Sequence, residues 1–157
     1  MRSTTPSNLF AALPSPGRER LQALSRDVFF PAGTRIFEEG GWADRFWVIH
    51  TGSVVLDTPV PGHAPAPVET LRHGDMLGCT WLFPPYRWHL GAEAQSDVRA
   101  EQFDAGEVRA LSREDLELGE ALARRIAEII AHRMQSARIR LLDLYGPGAA
   151  HHPSSVI

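Results

Sequence analysis

The sequence predicts a mainly β protein with flanking helices: an antiparallel, jelly-roll-like β-roll (a double-stranded β-helix), followed by a long C-terminal helix. Three observations carry this prediction. Between Val28 and Leu111 the apolar runs are short and repeatedly cut by glycine and proline. Between Leu116 and Tyr145 there is no proline and Gly119 is the one glycine. The chain has 157 residues, 43% hydrophobic and 22% charged, which suits one domain with its own buried core.

The elements follow in order. Residues 1–17, rich in Ser, Thr, Pro and Gly, read as a flexible arm, with Leu9, Phe10 and Leu13 as docking points. From Arg18 to Arg26 the segment reads as a short helix with Leu21 and Leu24 on one face. The body, residues 18–111, then holds the roll. Val28-Phe29-Phe30, Arg35-Ile36-Phe37, Phe46-Trp47-Val48-Ile49, Ser53-Val54-Val55-Leu56 and Val68-Glu69-Thr70-Leu71 each run into a turn. Ala92 to Ala94 and Val98 to Phe103 alternate, and Val108 to Leu111 closes the series. About eight short strands with turns every ~8–12 residues indicate a sandwich, barrel or roll. Pro59 to Pro67 contains four prolines and reads as an exposed hairpin loop.

Ser112-Arg113-Glu114-Asp115 has the look of a helix start, with an N-cap candidate and acidic residues in the first turn. The helix is expected over 112–145. Gly146-Pro147-Gly148 stops it, and 146–157 read as a disordered tail. Ile130, Met134, Ala137, Leu141 and Leu144 follow the four-three spacing of a coiled-coil seam. Two readings stand. The stripe covers the roll, or its second half pairs with a copy of itself. A helix of roughly 30 residues is about 45 Å long, more than a small roll needs. This favours a homodimer with those five residues at its interface.

Composition excludes several classes. The formal charge of −3 and pI of about 6.1 lack the basic excess of a nucleic-acid-binding chain. No apolar run approaches the ~20 residues of a membrane span. The N-terminus lacks the apolar stretch of a secretion signal. Cys79 is the single cysteine, so no intramolecular disulfide can form, and the expected location is the cytoplasm. Gly-x-Ser-x-Gly, a P-loop, a dinucleotide glycine loop and His-Glu-x-x-His are all missing, so no enzyme is expected. His50, His63, His73 and His89 are scattered, and no metal ligand set is expected.

Gly33, Phe37 and Gly40, then Asp44, Phe46, Ile49, Gly52 and Val54, followed by Gly74-Asp75-Met76-Leu77-Gly78, carry a family resemblance. In this order they resemble a cyclic nucleotide-binding domain and the start of its phosphate-binding cassette. That module serves catabolite-activator-type transcription regulators, kinase regulatory subunits and gated channels. The resemblance spans about residues 20–145. Residues Arg138 to Tyr145 are similar to the end of the dimer helix in the bacterial regulators. The cofactor it implies is a cyclic nucleotide, cyclic AMP or cyclic GMP.

In the family, backbone N–H groups and one arginine hold the phosphate, and a glutamate after the cassette glycine accepts the ribose 2′-hydroxyl. The resemblance puts the ligand-contacting positions here at Leu77, Gly78, Cys79, Trp81, Leu82, Arg87, Trp88 and His89. Gly78 matches the cassette glycine. Cys79 stands where the family has glutamate, and a thiol does not replace a carboxylate. Arg87 or His89 falls at the phosphate arginine. Trp88 and His89 replace small residues that let the backbone approach the phosphate. Pro84 and Pro85 remove two N–H donors. Ile129 and Ile130 fall nearest the base.

The bulky residues have two readings each. Trp81 and Trp88 stack on a ligand, or they fill the pocket. Arg87 holds an anion, or stacks on Tyr86 or Trp88. Cys79 is reactive, or a buried inert thiol. Two functions follow. One is a stand-alone regulatory module that senses a nucleotide-like or other anionic small molecule and acts through a protein partner. The other is a dimeric adaptor that binds no small molecule. In the regulators a helix-turn-helix of several tens of residues follows the dimer helix, whereas here Gly146–Ile157 follow. No DNA binding by this chain alone is expected.

Overall fold

A computed structural model describes residues 10–145, apart from the side chains of Ala12, Ala137, Arg140, Leu141, Asp143, Leu144 and Tyr145. Eight strands form two four-stranded antiparallel sheets. They are β1 (Arg26–Phe30), β2 (Arg35–Phe37), β3 (Arg45–Thr51), β4 (Val54–Val60), β5 (His63–Leu71), β6 (Met76–Leu77), β7 (Gly91–Ala94) and β8 (Val98–Asp104). One sheet runs β1-β8-β3-β6 and the other β2-β7-β4-β5. Three α-helices flank them: α1 (Gly17–Gln22), α2 (Ala105–Glu114) and α3 (Leu116–Tyr145). The β-roll followed by a long helix is the predicted fold class.

Strand β3 shows why the core has two layers. Phe46, Trp47, Val48 and Ile49 are all buried, so both faces of this strand are covered. On one face Phe46 stacks between Phe103, with ring centres 4.8 Å apart, and Trp81, at 4.6 Å. Phe10 closes on Phe103 at 5.8 Å, beneath the helices. On the other face Trp47 meets Phe37 of the opposite sheet at 5.8 Å. Its indole Nε1 donates to Gln102 Oε1 across the β3–β8 pair at 3.0 Å. Burying these rings supplies much of the roll's stability, at about 25 cal/mol per Å² of apolar surface.

Helix α3 lies on the roll through Leu118, Leu122, Ile126 and Ile129, all buried, at spacings of four, four and three. Each contributes about 2 kcal/mol by burial. Past Ile130 no apolar side chain of the helix is buried among the described residues. Met134, Ile139 and Leu142 are exposed. No helix among the described residues is long and apolar enough to cross a membrane.

Five sequence-based expectations are corrected. Val108 to Leu111 is not a strand but the middle of α2. Asp104 Oδ1 accepts from the Glu107 amide at 2.9 Å and starts that helix. The long helix therefore starts at Leu116, not Ser112, capped by Asp115, whose Oδ1 accepts from the Leu118 amide at 3.1 Å. The Arg18–Arg26 helix stops at Gln22, because Arg26 opens β1 against Gln102. Residues 10–17 of the expected arm are docked, with Leu13 and Gly17 buried. Residues 1–9 and 146–157, the rest of the arm and the tail, lie outside the described residues. Finally, the proline-rich hairpin is mostly strand. Pro65 and Pro67 lie in β5, at the sheet edge, where a strand tolerates missing N–H donors.

Candidate functional site

A cavity of about 340 Å³ lies between the β2-β7-β4-β5 sheet, the turn after β6 and the second half of α3. Its floor is apolar: Phe37, Leu56, Val68, Trp88 and Leu90. Gly78, Cys79 and Thr80 line one side, and Ile130, Arg133 and Met134 of α3 roof it. Glu69 and His89 stand at the margins.

The turn is built around Gly78. Its φ of +93° is in the left-handed region, which glycine enters without a steric penalty. A Cβ there would stand 2.7 Å from Trp88 Cζ3, so the indole lies directly over the glycine. Trp88 is itself buried, stacked on Phe37 with ring centres 4.0 Å apart. Its backbone is pinned by two bonds of 2.8 Å, Trp88 N–H to Gly41 and Gly40 N–H to Trp88. Thr80 Oγ1 donates to the Arg87 carbonyl at 2.8 Å and ties the two ends of the loop.

Of the residues assigned to ligand contact from the sequence, Gly78, Cys79, Trp88 and His89 line this cavity. Leu77, Trp81, Leu82 and Arg87 are not among its lining residues. Leu77 is buried in β6, and Trp81 is buried against Phe46. Leu82 is half-buried beside the core. Arg87 turns the other way. Its Nη1 donates to the Gly40 carbonyl at 3.0 Å, and its guanidinium sits 3.5 Å from the ring centre of exposed Trp42. Arg87 therefore stacks on Trp42 and not on Tyr86 or Trp88 as expected from the sequence; the guanidinium over Tyr86 is that of Arg109. Ile130 and Met134, assigned to the dimer seam, line the cavity. The side chains of Ala137, Leu141 and Leu144 lie outside the described residues.

Two polar residues of the cavity escaped the sequence reading. Arg133 Nη2 donates to the Met76 carbonyl at 2.6 Å, and its Nη1 contacts Cys79 Sγ at 3.1 Å. Its Nε faces Glu69 Oε1 at 3.6 Å. Burial pushes the Cys79 thiol up, against the opposing pull of the Arg133 charge, so the sulfur is a neutral thiol at physiological pH. Burial likewise raises the carboxyl of Asp75, opposed in part by the Arg72 amide and by the Arg133 charge. The signal for Arg133 was present. It follows Ile126, Ile129 and Ile130 by seven, four and three residues, which puts it on the roll-facing stripe. Elsewhere, Asp27, His50 and Glu101 on neighbouring strands bring possible ligand atoms within 4.8 Å of one another. Spacing along the chain does not reveal that grouping.

Comparison with known proteins bears on this arrangement. The family described as the cyclic nucleotide-binding domain matches residues 27–115. A CRP-like cAMP-activated global transcriptional regulator of Mycobacterium tuberculosis is 28% identical over 117 residues, 74% of this chain and 50% of that protein. The chain thus spans about half the length of the curated relatives it matches. A candidate cyclic nucleotide-binding protein of Geobacter metallireducens GS-15 superposes with a TM-score of 0.72 at 25% identity, covering 80% of this chain and 91% of that one. The catabolite activator protein of Thermus thermophilus gives 0.71 at 21% identity, covering 90% and 63%, a likeness of fold.

Proposed function

The chain belongs to the cyclic nucleotide-binding domain family, and from that membership we propose that it is a ligand-sensing regulatory domain. A nucleotide-like or other anionic small molecule enters the cavity under α3, and its presence is passed to a protein partner through that helix. The observation that carries this reading is the shared wall. Gly78 to Thr80 of the turn and Ile130, Arg133 and Met134 of α3 face the same space, so an occupant contacts roll and helix together. The domain works as a homodimer joined along α3. Exposed Met134, Ile139 and Leu142 beyond the roll support this.

Isothermal titration with cyclic AMP, cyclic GMP and cyclic di-GMP tests the first part. Saturable heat with one of them is expected, and no heat with any counts against a nucleotide. Sedimentation of Leu141→Asp tests the second. A monomer is expected, and an unchanged dimer removes the seam.

A second reading has its own observation. Trp88 lies over Gly78 and stacks on Phe37, filling the space where the family's backbone meets a phosphate. On that reading the domain is a dimeric adaptor without a small-molecule ligand. Trp88→Ala separates the two. It should create binding in an adaptor and weaken existing binding in a sensor.

A further inference from the structure

We propose that Arg133 of α3 is the anion anchor of this cavity in place of a cassette arginine, and that the ligand it selects is a small acid with a flat apolar body. This rests on the ligand-sensing reading above and narrows it. The argument starts from where the positive charges are. Arg87 is spent on the Gly40 carbonyl and the Trp42 ring, outside the cavity. Among the described residues that line the cavity, Arg133 is the one guanidinium.

The partners of Arg133 are poor matches for its charge. A guanidinium presents five donors and is best satisfied by a two-oxygen anion. Here Nη2 has a neutral carbonyl, and Nη1 has a neutral thiol, a weak acceptor. Among the described residues Glu69 is the one carboxylate paired with it, at 3.6 Å from Nε and beyond hydrogen-bond length. The side chain of Arg133 is 19% exposed and that of Glu69 24%, so the pair is accessible from the cavity margin. An incoming carboxylate, sulfonate or phosphate oxygen would replace the thiol contact with a charge-assisted bond and compete with Glu69.

The remaining wall decides the rest of the ligand. Phe37 and Trp88 stack on each other, 14° apart, as one aromatic wall, and Leu56, Val68 and Ile130 complete the apolar lining of the slot. At about 340 Å³ it is near the lower end of the ~300–1,000 Å³ range of small-molecule sites. It therefore suits a body of two or three rings. Arg133 sits one turn beyond Ile129, the last buried α3 residue among those described, so the anion is held at the edge of the helix–roll contact.

Two dyes with one aromatic frame test this. 1-Anilinonaphthalene-8-sulfonate carries an anion, and N-phenyl-1-naphthylamine does not. Fluorescence titration of the full chain should show the sulfonate dye binding about tenfold tighter, the scale of one charged hydrogen bond. Arg133→Gln should abolish that preference, and Arg133→Lys should retain part of it. Glu69→Gln should tighten the sulfonate dye and leave the neutral dye unchanged. Ile130→Trp, which fills the slot, should weaken both. Equal binding of the two dyes, or a preference that survives Arg133→Gln, overturns the anchor and leaves the ligand-sensing reading standing. Absence of both dyes, or binding indifferent to Ile130→Trp, removes the cavity as a ligand site and the ligand-sensing reading with it.

Discussion

Two arginine–carboxylate pairs stand on opposite sides of one sheet system, and they are built to different ends. Arg35 of β2 meets Asp57 of β4 through two bonds, 2.6 and 2.7 Å, and Glu38 adds a third at 3.0 Å. Among the described residues Asp57 is the one charged residue that is buried. Its counterpart Arg133 meets Glu69 at 3.6 Å without a hydrogen bond. Space is also used differently. Gly91 leaves its side empty for Arg35, since a Cβ there would lie 2.1 Å from Nη2 and 2.6 Å from Asp57 Oδ1. Around Arg133 the room is a cavity. A bidentate pair with every oxygen matched locks β2, β7 and β4 together. A loosely matched charge beside a void keeps capacity for another partner. Geometry, not residue type, separates a staple from a receptor.

The contrast can be broken in order of effect. Asp57→Ala strands Arg35 in a mostly buried corner and should cost about 3 kcal/mol, read from urea denaturation. A loss near zero would make the staple ornamental. Gly91→Ala keeps both charges but removes their room, and should cost about 1–3 kcal/mol in the same assay. If it matches wild type, the close approach does not matter. Glu69→Gln performs the equivalent carboxylate deletion at the other pair. Its cost should stay within about 1 kcal/mol, because the pair is beyond hydrogen-bond length and Arg133 keeps its bond to the Met76 carbonyl. A loss as large as that of Asp57→Ala would erase the distinction.

The smallest effect concerns pH. The Asp115 carboxyl is held below its ordinary value of 3.8, chiefly by the Leu118 amide, with Arg20 assisting. A depressed carboxylate stabilises the fold above its ordinary value and loses that contribution as pH falls through the depressed one. Asp75 acts oppositely. Its raised carboxyl costs stability as pH climbs from 3.8 towards its folded value. Asp115→Asn should therefore flatten the acid limb of a midpoint-against-pH curve, and Asp75→Asn should steepen it. Two unchanged curves would remove both assignments.

The roll was legible because its punctuation is local. Gly33, Gly40, Gly52, Gly62, Gly74 and Gly78 all adopt positive φ, and each had marked a turn or the cassette in the sequence. The error at Val108 to Leu111 arose from weighing a short apolar run above a capping signal. Asp104-Ala105-Gly106-Glu107 places an acceptor three residues before a glutamate, which is a helix start. The site was half legible. Gly78, Cys79, Trp88 and His89 lie within one stretch of 12 residues, so one motif found them together. Arg133 meets Met76 and Cys79 across more than 50 residues, and nothing local states that contact. Nor does a motif say which way Arg87 turns. That direction depends on Trp42, supplied by a different turn.

Helix α3 is also a lever. Its fulcrum is Ile129, the last buried apolar residue of the helix among those described, and Tyr145 lies about 24 Å further along the rod. A tilt of about 5° at the fulcrum carries the far end roughly 2 Å, at 1.5 Å of rise per residue. Arg133 and Met134 sit just past that pivot, on the long arm. A displacement too small to disturb the roll's packing is thereby magnified into one large enough to shift a side chain from one notch to the next in whatever surface the far end touches.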